Sequence, residues 1–276
     1  MSTVPMIKLH DGHHMPALGF GLWQMSDAEA EGASREALRA GYRSFDGAQL
    51  YRNEAGLGRA LAQSDIPREQ VFVTTKVWND SQGAAATARA FDESLSKLGT
   101  DYVDLYLIHW PAPKRGLYVE TWKTLIELKK SGRARSIGVS NFQPEHLRTI
   151  IDATGEVPVV NQIELHPRFS QRELRDFHRQ HGIVSEAWSP LGQGKLLSDK
   201  TLSTIADKVG RSPAQVVLRW HLQHGIIVIP KSVTPARIRD NINVFDFELS
   251  AGDMAAIDAL DRKDGRYGAD PMTATF

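Results

Sequence analysis

The sequence of 276 residues contains no cysteine. Disulfides, thiolate zinc sites and thiol nucleophiles are therefore excluded. An excess of either charge is also missing, because 33 basic side chains balance 33 acidic ones and the formal net charge is +0. A general nucleic-acid-binding protein would show a basic excess, so the charge balance argues against a nucleic-acid partner.

Long apolar segments are absent as well. The longest, residues 105–108 and 226–229, are far shorter than the roughly 20 residues that cross a bilayer. Residues 1–8 have no apolar core of the kind found in secretory signals, and no cleavage site follows them. We therefore expect a cytoplasmic protein that has no membrane partner.

Short apolar segments alternate with longer amphipathic segments along the chain. The short segments are rich in Val, Ile or aromatic residues, which is typical of strands buried on both faces. Eight predicted strands cover residues 18–23, 44–46, 71–76, 103–109, 136–141, 159–164, 184–188 and 226–231. Helical periodicity between them is clearest at residues 28–40, 87–98, 118–130 and 144–153. Eight strand–helix units of roughly thirty residues each favour an α/β fold, the (β/α)8 TIM barrel.

A doubly wound parallel sheet is the competing fold. It would carry a G-x-G-x-x-G turn after its first strand, but Gln24 takes the place of the third glycine after Gly19 and Gly21. No linker, repeat or low-complexity stretch divides the chain, so we predict one domain over residues 1–276. Residues 6–16 predict an N-terminal β-hairpin that plugs the bottom of the barrel, with additional helices outside it.

Polar side chains recur at the C-terminal ends of the predicted strands, where barrel enzymes place their active sites. These residues are Asp46, Lys76, His109, Asn141, Gln162, Glu164, Trp188 and Lys231. Taken singly, each has a plain structural explanation, such as a helix cap, a snorkelling lysine or a core histidine. Tyr51, five residues after Asp46, is by itself an ordinary loop aromatic. Their placement on consecutive strand ends nevertheless favours a catalytic group.

Tyrosine, lysine, aspartate and histidine can together transfer a proton to a carbonyl oxygen. A free tyrosine has a pKa near 10, which is too high for a good proton relay at neutral pH. A neighbouring ammonium group lowers that pKa by stabilising the phenolate, and a carboxylate holds the ammonium group in place. A neutral histidine can orient the carbonyl. The sequence therefore predicts carbonyl chemistry at Asp46, Tyr51, Lys76 and His109.

Several motifs resemble the aldo-keto reductase family. The stretch F-D-G-A-Q-L-Y-R-N-E at residues 45–54 is similar to the D-x-A-x-x-Y-x-N-E element of that family. Segments that resemble its following strand ends lie at residues 74–78, 104–111, 137–142, 161–167 and 229–233. Residues 188–194 and 244–247 are most similar to the bacterial 2,5-diketo-D-gluconate reductases.

The resemblance runs nearly end to end and implies a barrel that uses NADPH to reduce small aldehydes and ketones. The implied substrates are keto-sugar acids, methylglyoxal-like carbonyls and β-keto esters. Tyr51 would be the general acid, Lys76 and Asp46 would tune it, and His109 would position the carbonyl. Gly47 departs from the family, which usually has threonine or serine there, and a glycine loosens the backbone next to Asp46.

The implied cofactor contacts lie on the later strand ends. Trp188 would stack on the nicotinamide ring, for which the alternative is a core aromatic. Ser140, Asn141 and Gln162 would form hydrogen bonds with the carboxamide of that ring. The other contacts implied by the resemblance are Ser189, Leu191, Lys231, Ser232, Val233, Arg237 and Asn241, with Asn241 near the adenine.

Lys231, Ser232 and Arg237 follow the last predicted strand, where barrels often bind phosphate. Lysine and arginine there suit a 2′-phosphate, because the guanidinium fork pairs with phosphate oxygens. This cluster favours NADPH over NADH. The alternative is a solvated basic start of a helix.

Trp23, Trp78 and Trp110 come just after three predicted strand ends. Each alone is compatible with the core, but three in phase predict a flat apolar wall around the substrate. The loop at residues 111–117 is short, and 15 residues follow Asp261. We therefore expect an open pocket suited to small polar carbonyls.

Two pairs of histidines, His13 with His14 and His178 with His181, lack a third ligand at metal-binding spacing. We interpret them as surface residues and expect no metal. Two other functions remain open. One is a barrel aldolase that forms a Schiff base on Lys76 or Lys231, and the other is a nicotinamide-binding regulatory subunit with little turnover. We expect a monomer, which is usual in the group that the chain resembles.

Overall fold

The computed structural model describes residues 4–276. Met1, Ser2 and Thr3, which belong to the segment in which we expect no secretory signal, lie outside the described residues. Among the described residues, no helix is long and apolar enough to cross a membrane.

In the described part of the chain, eight parallel strands pair in chain order into one curled sheet. They are β3 (Phe20–Gly21), β4 (Ser44–Asp46), β5 (Phe72–Val77), β6 (Val103–Ile108), β7 (Ala134–Ser140), β8 (Val160–Glu164), β9 (Val184–Trp188) and β10 (Ile227–Val228). A parallel bridge between Leu18 and Val228 joins the first strand to the last. The Gly19 amide donates to the Val228 carbonyl oxygen at 2.8 Å, and the Val228 amide donates to that of Ala17 at 3.1 Å. The predicted TIM barrel is confirmed.

Two of the eight strands are much shorter than predicted. The predicted first and last strands covered residues 18–23 and 226–231, but β3 and β10 have two residues each. Pro230 limits β10 because it has no N–H to donate to a ladder. Its carbonyl oxygen still accepts a 3.2 Å hydrogen bond from Gly21, so the barrel stays closed at this end.

Within residues 4–276, ten helices connect and follow these strands. They are α1 (Asp27–Ala40), α2 (Glu54–Ala62), α3 (Ala84–Leu98), α4 (Tyr118–Lys130), α5 (Pro144–Thr154), α6 (Arg172–Gln180), α7 (Lys200–Val209), α8 (Pro213–Gln223), α9 (Pro235–Ile242) and α10 (Ala251–Asp258). Local signals set their ends. Ser26 and Glu29 form a capping box at the start of α1, which ends at Gly41 with a left-handed φ of 104°.

The N-terminal hairpin is also confirmed. Strands β1 (Met6–Lys8) and β2 (His14–Pro16) pair antiparallel. The neighbouring side chains of Leu9 and Met15 are fully buried in a cluster with interior residues of the barrel strands. Hydrophobic burial therefore holds the hairpin against the barrel.

One histidine interpretation was wrong. His178 is buried. Its imidazole lies 2.9 Å from Asn161 Nδ2 and 2.8 Å from Ser185 Oγ. Burial lowers its pKa to about 3, so it is a neutral core histidine. No group of three or more His, Cys, Asp or Glu in residues 4–276 is arranged to hold a metal ion.

Candidate active site

Lys76 lies at the centre of the polar groups at the strand ends and is fully buried. Its Nζ donates to Asp46 Oδ1 at 2.6 Å and to the Gly47 carbonyl oxygen at 2.9 Å, and it lies 3.4 Å from Tyr51 Oη. Burial alone would lower the pKa of Lys76, but the charge of Asp46 and the contact with Tyr51 raise it above its ordinary value. Lys76 is therefore an ammonium group.

Tyr51 ends a short 3-10 turn, Gln49–Tyr51, after β4. The loop that follows is fixed by buried Asn53, whose Nδ2 donates to the carbonyl oxygens of Leu22 and Met25 at 2.9 and 3.0 Å. Burial raises the pKa of Tyr51 to about 12, although Lys76 acts in the opposite direction. The expected lowering of this pKa is therefore outweighed by desolvation, and Tyr51 carries its proton at neutral pH.

His109 follows β6 and faces Tyr51 edge-on, with the ring centres 5.6 Å apart. It is 7% exposed, and its Nδ1 is buried without a hydrogen-bond partner among the described residues. Burial and the charge of Lys76 hold the pKa of His109 well below its ordinary value. The imidazole is neutral and can donate one hydrogen bond without adding charge.

Gly47 does not loosen the backbone beside Asp46. Its amide donates to the Thr74 carbonyl oxygen at 2.9 Å, and its carbonyl oxygen accepts from Lys76 at 2.9 Å. A Cβ added to Gly47 would lie 3.5 Å from the Thr74 oxygen, an ordinary contact. These two hydrogen bonds, both made by backbone atoms of Gly47, fix the segment.

The three tryptophans lie around this group. The Trp23 ring centre is 4.8 Å from that of Tyr51, and Trp78 is 5.1 Å from His109. Phe276 lies between Trp78 and Trp110. Its ring centre is 5.0 Å from that of Trp110, and its ring stacks on Trp78 with the centres 5.6 Å apart.

Phe276 was not among the predicted site residues. No local signal in the sequence marks it, because it lies far from any strand end and its position depends on the path of the tail. Asn79 Nδ2 holds this path through a 2.7 Å hydrogen bond to the Phe276 backbone oxygen. The pocket is consequently not open on this side, where the tail covers Trp78 and Trp110.

The residues expected at the nicotinamide carboxamide are brought together by β7, β8 and β9. Ser140 Oγ donates to the Gln162 carbonyl oxygen at 2.8 Å. Asn141 Nδ2 donates to the His109 carbonyl oxygen at 2.9 Å, and its Oδ1 accepts from Trp188 Nε1 at 2.8 Å. Trp188 keeps a half-buried ring at the end of β9, so it is not a core aromatic.

Gln162 reaches across the barrel interior. Its Nε2 donates to Asp46 Oδ2 at 2.6 Å and to Glu186 Oε2 at 2.9 Å. Glu186 was also missed, although a signal existed. It is an acidic residue in a buried strand, two residues before Trp188, and side chains at i and i+2 share one face of a strand.

The predicted phosphate contacts lie at the start of α9. Lys231, Val233 and Arg237 are exposed, and Ser232 is buried. Neither Lys231 nor Arg237 has a carboxylate within 4.0 Å among the described residues. Two cations without a carboxylate partner among the described residues, next to a helix N-terminus, form an anion-binding arrangement.

The other predicted cofactor residues are divided between two places. Asn241 is buried in α9, near the phosphate contacts in sequence. Ser189 and Leu191 are half-buried in the loop after β9, and Ser189 has a left-handed φ of 49°.

Comparisons with known proteins agree with this architecture. Residues 17–262 match the model of the Aldo/keto reductase family. An aldo-keto reductase of Mycolicibacterium smegmatis is 55% identical over 272 residues, 99% of this chain and 98% of the relative. The methylglyoxal reductase DkgA of Escherichia coli K12 is 50% identical over 273 residues, 98% of either chain. A crystal structure of a Gox0644 mutant in complex with NADPH is 56% identical, covers 100% of both chains and has a TM-score of 0.97.

Proposed function

Because this chain belongs to the aldo/keto reductase family, we propose that it reduces small aldehydes and ketones with NADPH and that Tyr51 is the general acid. The observation that carries the proposal is the contact chain Tyr51–Lys76–Asp46 beside neutral His109. A protonated phenol beside a fixed ammonium group is suited to donate a proton to an oxygen on which negative charge develops.

Each residue of this group has one part in the proposed reaction. His109 donates a hydrogen bond to the substrate carbonyl oxygen and orients it towards Tyr51. Tyr51 Oη gives its proton to that oxygen. Lys76 stabilises the phenolate that remains, because its Nζ is 3.4 Å from Oη, and Asp46 keeps Lys76 charged in a buried site.

The residues present fit NADPH. When bound, this cofactor supplies the hydride that carbonyl reduction requires. Trp188 offers a half-buried flat ring, and Ser140, Asn141 and Gln162 offer polar groups for a carboxamide. Lys231 and Arg237, which have no carboxylate partner within residues 4–276, suit a 2′-phosphate, with Ser232, Val233 and Asn241 beside them. Ser189 and Leu191 would contact the remainder of the cofactor.

The proposed substrates are small polar carbonyls such as methylglyoxal, keto-sugar acids and β-keto esters. Trp23, Trp78, Trp110 and Phe276 surround the site with flat apolar surface, which leaves His109 and Tyr51 as the polar groups that select a carbonyl. The methylglyoxal reductase named among the relatives supports this class. We propose that the chain acts as a single-domain monomer, because all the residues of the proposed site come from one chain.

The two alternatives are less compatible with the site. A Schiff-base aldolase needs a neutral amine, but Lys76 is held as an ammonium ion by Asp46 at 2.6 Å. Lys231 is exposed and lies outside the buried contact group of Asp46, Tyr51 and Lys76. A regulatory subunit would not require the complete set of Asp46, Tyr51, Lys76 and His109.

The test is NADPH oxidation by wild-type protein with methylglyoxal, 2,5-diketo-gluconate, a β-keto ester and an aromatic aldehyde. Tyr51→Phe should lower kcat by about 10²–10⁴-fold, the contribution of a general acid, without changing the Kd of NADPH. Tyr102→Phe is the matched control, since its hydroxyl is buried without a partner among the described residues. The mechanism is wrong if no carbonyl is reduced or if Tyr51→Phe is as fast as wild type.

A further inference from the structure

Glu186 is a fully buried carboxyl group that the proposed reaction does not use. It lies on β9 opposite Gln162 of β8, and its Oε2 accepts a hydrogen bond from Gln162 Nε2 at 2.9 Å. Its Oε1 is buried and has no hydrogen-bond partner among the described residues. Burying a polar atom without a hydrogen-bond partner costs folding free energy. The contacts that this carboxyl group does make therefore indicate its role.

The Gln162 amide is held in one orientation by two carboxyl groups. Its Nε2 has two hydrogens, and these are donated to Asp46 Oδ2 at 2.6 Å and to Glu186 Oε2 at 2.9 Å. A flipped amide would place Gln162 Oε1 against Asp46 Oδ2 and Glu186 Oε2, the two oxygens that act as acceptors in this arrangement. Neither hydrogen bond uses Gln162 Oε1, so that acceptor remains for a ligand.

The ionisation of Glu186 is compatible with this arrangement. Burial and the nearby charge of Asp46 raise the pKa of Glu186 to about 8, although Gln162 and Lys76 act in the opposite direction. At neutral pH the carboxyl is therefore protonated. One oxygen can accept from Gln162 while the group leaves the Lys76–Asp46 ion pair without an additional negative charge.

We propose that Glu186 is a positioning residue, which holds the Gln162 amide so that its Oε1 accepts a hydrogen bond from the carboxamide NH2 of the nicotinamide ring. This inference rests on the proposed function, in which Gln162 contacts that carboxamide. It explains how the site would recognise the nicotinamide ring. With Oε1 free, the site selects a ring substituent that donates a hydrogen bond over one that does not.

Binding of two oxidised cofactors tests the role without any turnover. The first is NADP+, and the second is its 3-acetylpyridine analogue, in which a methyl group replaces the carboxamide NH2. Calorimetry gives the Kd of each for wild type, Glu186→Met and Glu186→Gln. Methionine fills a similar volume without an acceptor oxygen, whereas glutamine keeps an acceptor for Gln162 and a neutral charge.

Wild type should bind NADP+ about tenfold more tightly than the analogue, the effect expected of one hydrogen bond. Glu186→Met should reduce this preference to about twofold or less, and Glu186→Gln should retain it. A loss of overall stability would weaken both cofactors equally and would leave the ratio unchanged.

Three results would overturn the proposal: no preference in wild type, an unchanged preference in folded Glu186→Met, or loss of the preference in Glu186→Gln. If Glu186→Met does not fold, Glu186→Leu, which also lacks an acceptor oxygen, replaces it with the same expected loss of preference. Carbonyl reduction by wild type is measured separately. Its absence would refute the proposed function, whereas the ratio of the two Kd values decides the role of Glu186.

Discussion

Trp188 Nε1 donates a 2.8 Å hydrogen bond to Asn141 Oδ1 and so joins the ends of β9 and β7. Asn141 has a left-handed φ of 64°, a conformation that asparagine tolerates better than most residues. Its Nδ2 continues the contact to the His109 carbonyl oxygen at 2.9 Å. The ring proposed to stack on nicotinamide is thereby fixed relative to the histidine proposed to orient the substrate.

Trp188→Phe keeps an aromatic face but removes the donor to Asn141. We expect the KM of NADPH to rise by about threefold to tenfold, the worth of one hydrogen bond, with a smaller change in kcat. Steady-state kinetics at saturating carbonyl substrate measure both. Trp220→Phe is the control, because it removes a 2.9 Å hydrogen bond to Asp258 away from the site. Equal effects of the two substitutions on KM would contradict the prediction.

Arg237→Ala removes one of the two cations proposed to bind the 2′-phosphate. Hydrogen bonds to charged groups are worth more than neutral ones, so the kcat/KM for NADPH should fall by about 10- to 100-fold. The value for NADH should hardly change, because NADH lacks that phosphate. Arg239→Ala on the same helix is the control, since Arg239 pairs with Glu36 at 3.4 Å. A strict NADH preference in wild type would refute the phosphate site.

Phe276→Ala opens the side of the pocket that the tail covers. Its ring stacks on Trp78 at an interplanar angle of 13°, so its loss leaves room for a larger substrate. The kcat/KM ratio of an aromatic aldehyde to methylglyoxal should rise by about tenfold, a typical effect of changing apolar contacts in a pocket. Met272→Ala, an exposed position in the same tail, should leave the ratio unchanged. An unchanged ratio in Phe276→Ala would remove Phe276 from the substrate wall.

Glu186 makes stability depend on pH. Its pKa rises on folding from an ordinary 4.5 to about 8, where Asp46, Lys76, Tyr51 and Gln162 are the polar groups close to it. Between pH 4.5 and about pH 8, Glu186 has lost its proton in the unfolded chain but retains it in the folded chain. The contribution of Glu186 to the free energy of unfolding therefore falls as pH rises.

Glu186→Gln has no such proton and should gain melting temperature relative to wild type as pH rises from 5 to 8. Each kcal/mol of unfolding free energy corresponds to roughly 2–4 °C in melting temperature for a chain of this size, so we expect a gain of several degrees. Glu248→Gln, at an exposed position, is the control. Thermal unfolding across that pH range measures the difference, and a difference independent of pH would contradict the prediction.

Much of the fold was predictable because its signals are local. The predicted strands 44–46 and 184–188 and the helix 118–130 agree with β4, β9 and α4 to the residue. Burial on both faces gives parallel strands their continuous apolar composition. The bounds of β10 were less predictable. Pro230 has no N–H with which to extend the ladder, yet its carbonyl oxygen still accepts a hydrogen bond from Gly21 of β3.

The sequence by itself determined the barrel and brought Asp46, Lys76 and His109 to one end of it, because the C-terminal ends of parallel strands converge. The tertiary structure alone decided the electrostatics and the walls of the site. The pKa of Tyr51 depends on how completely many distant segments exclude water, and this desolvation outweighs the charge of Lys76. The positions of Phe276 and Glu186 likewise arise from contacts between residues far apart in the chain, which no local pattern encodes.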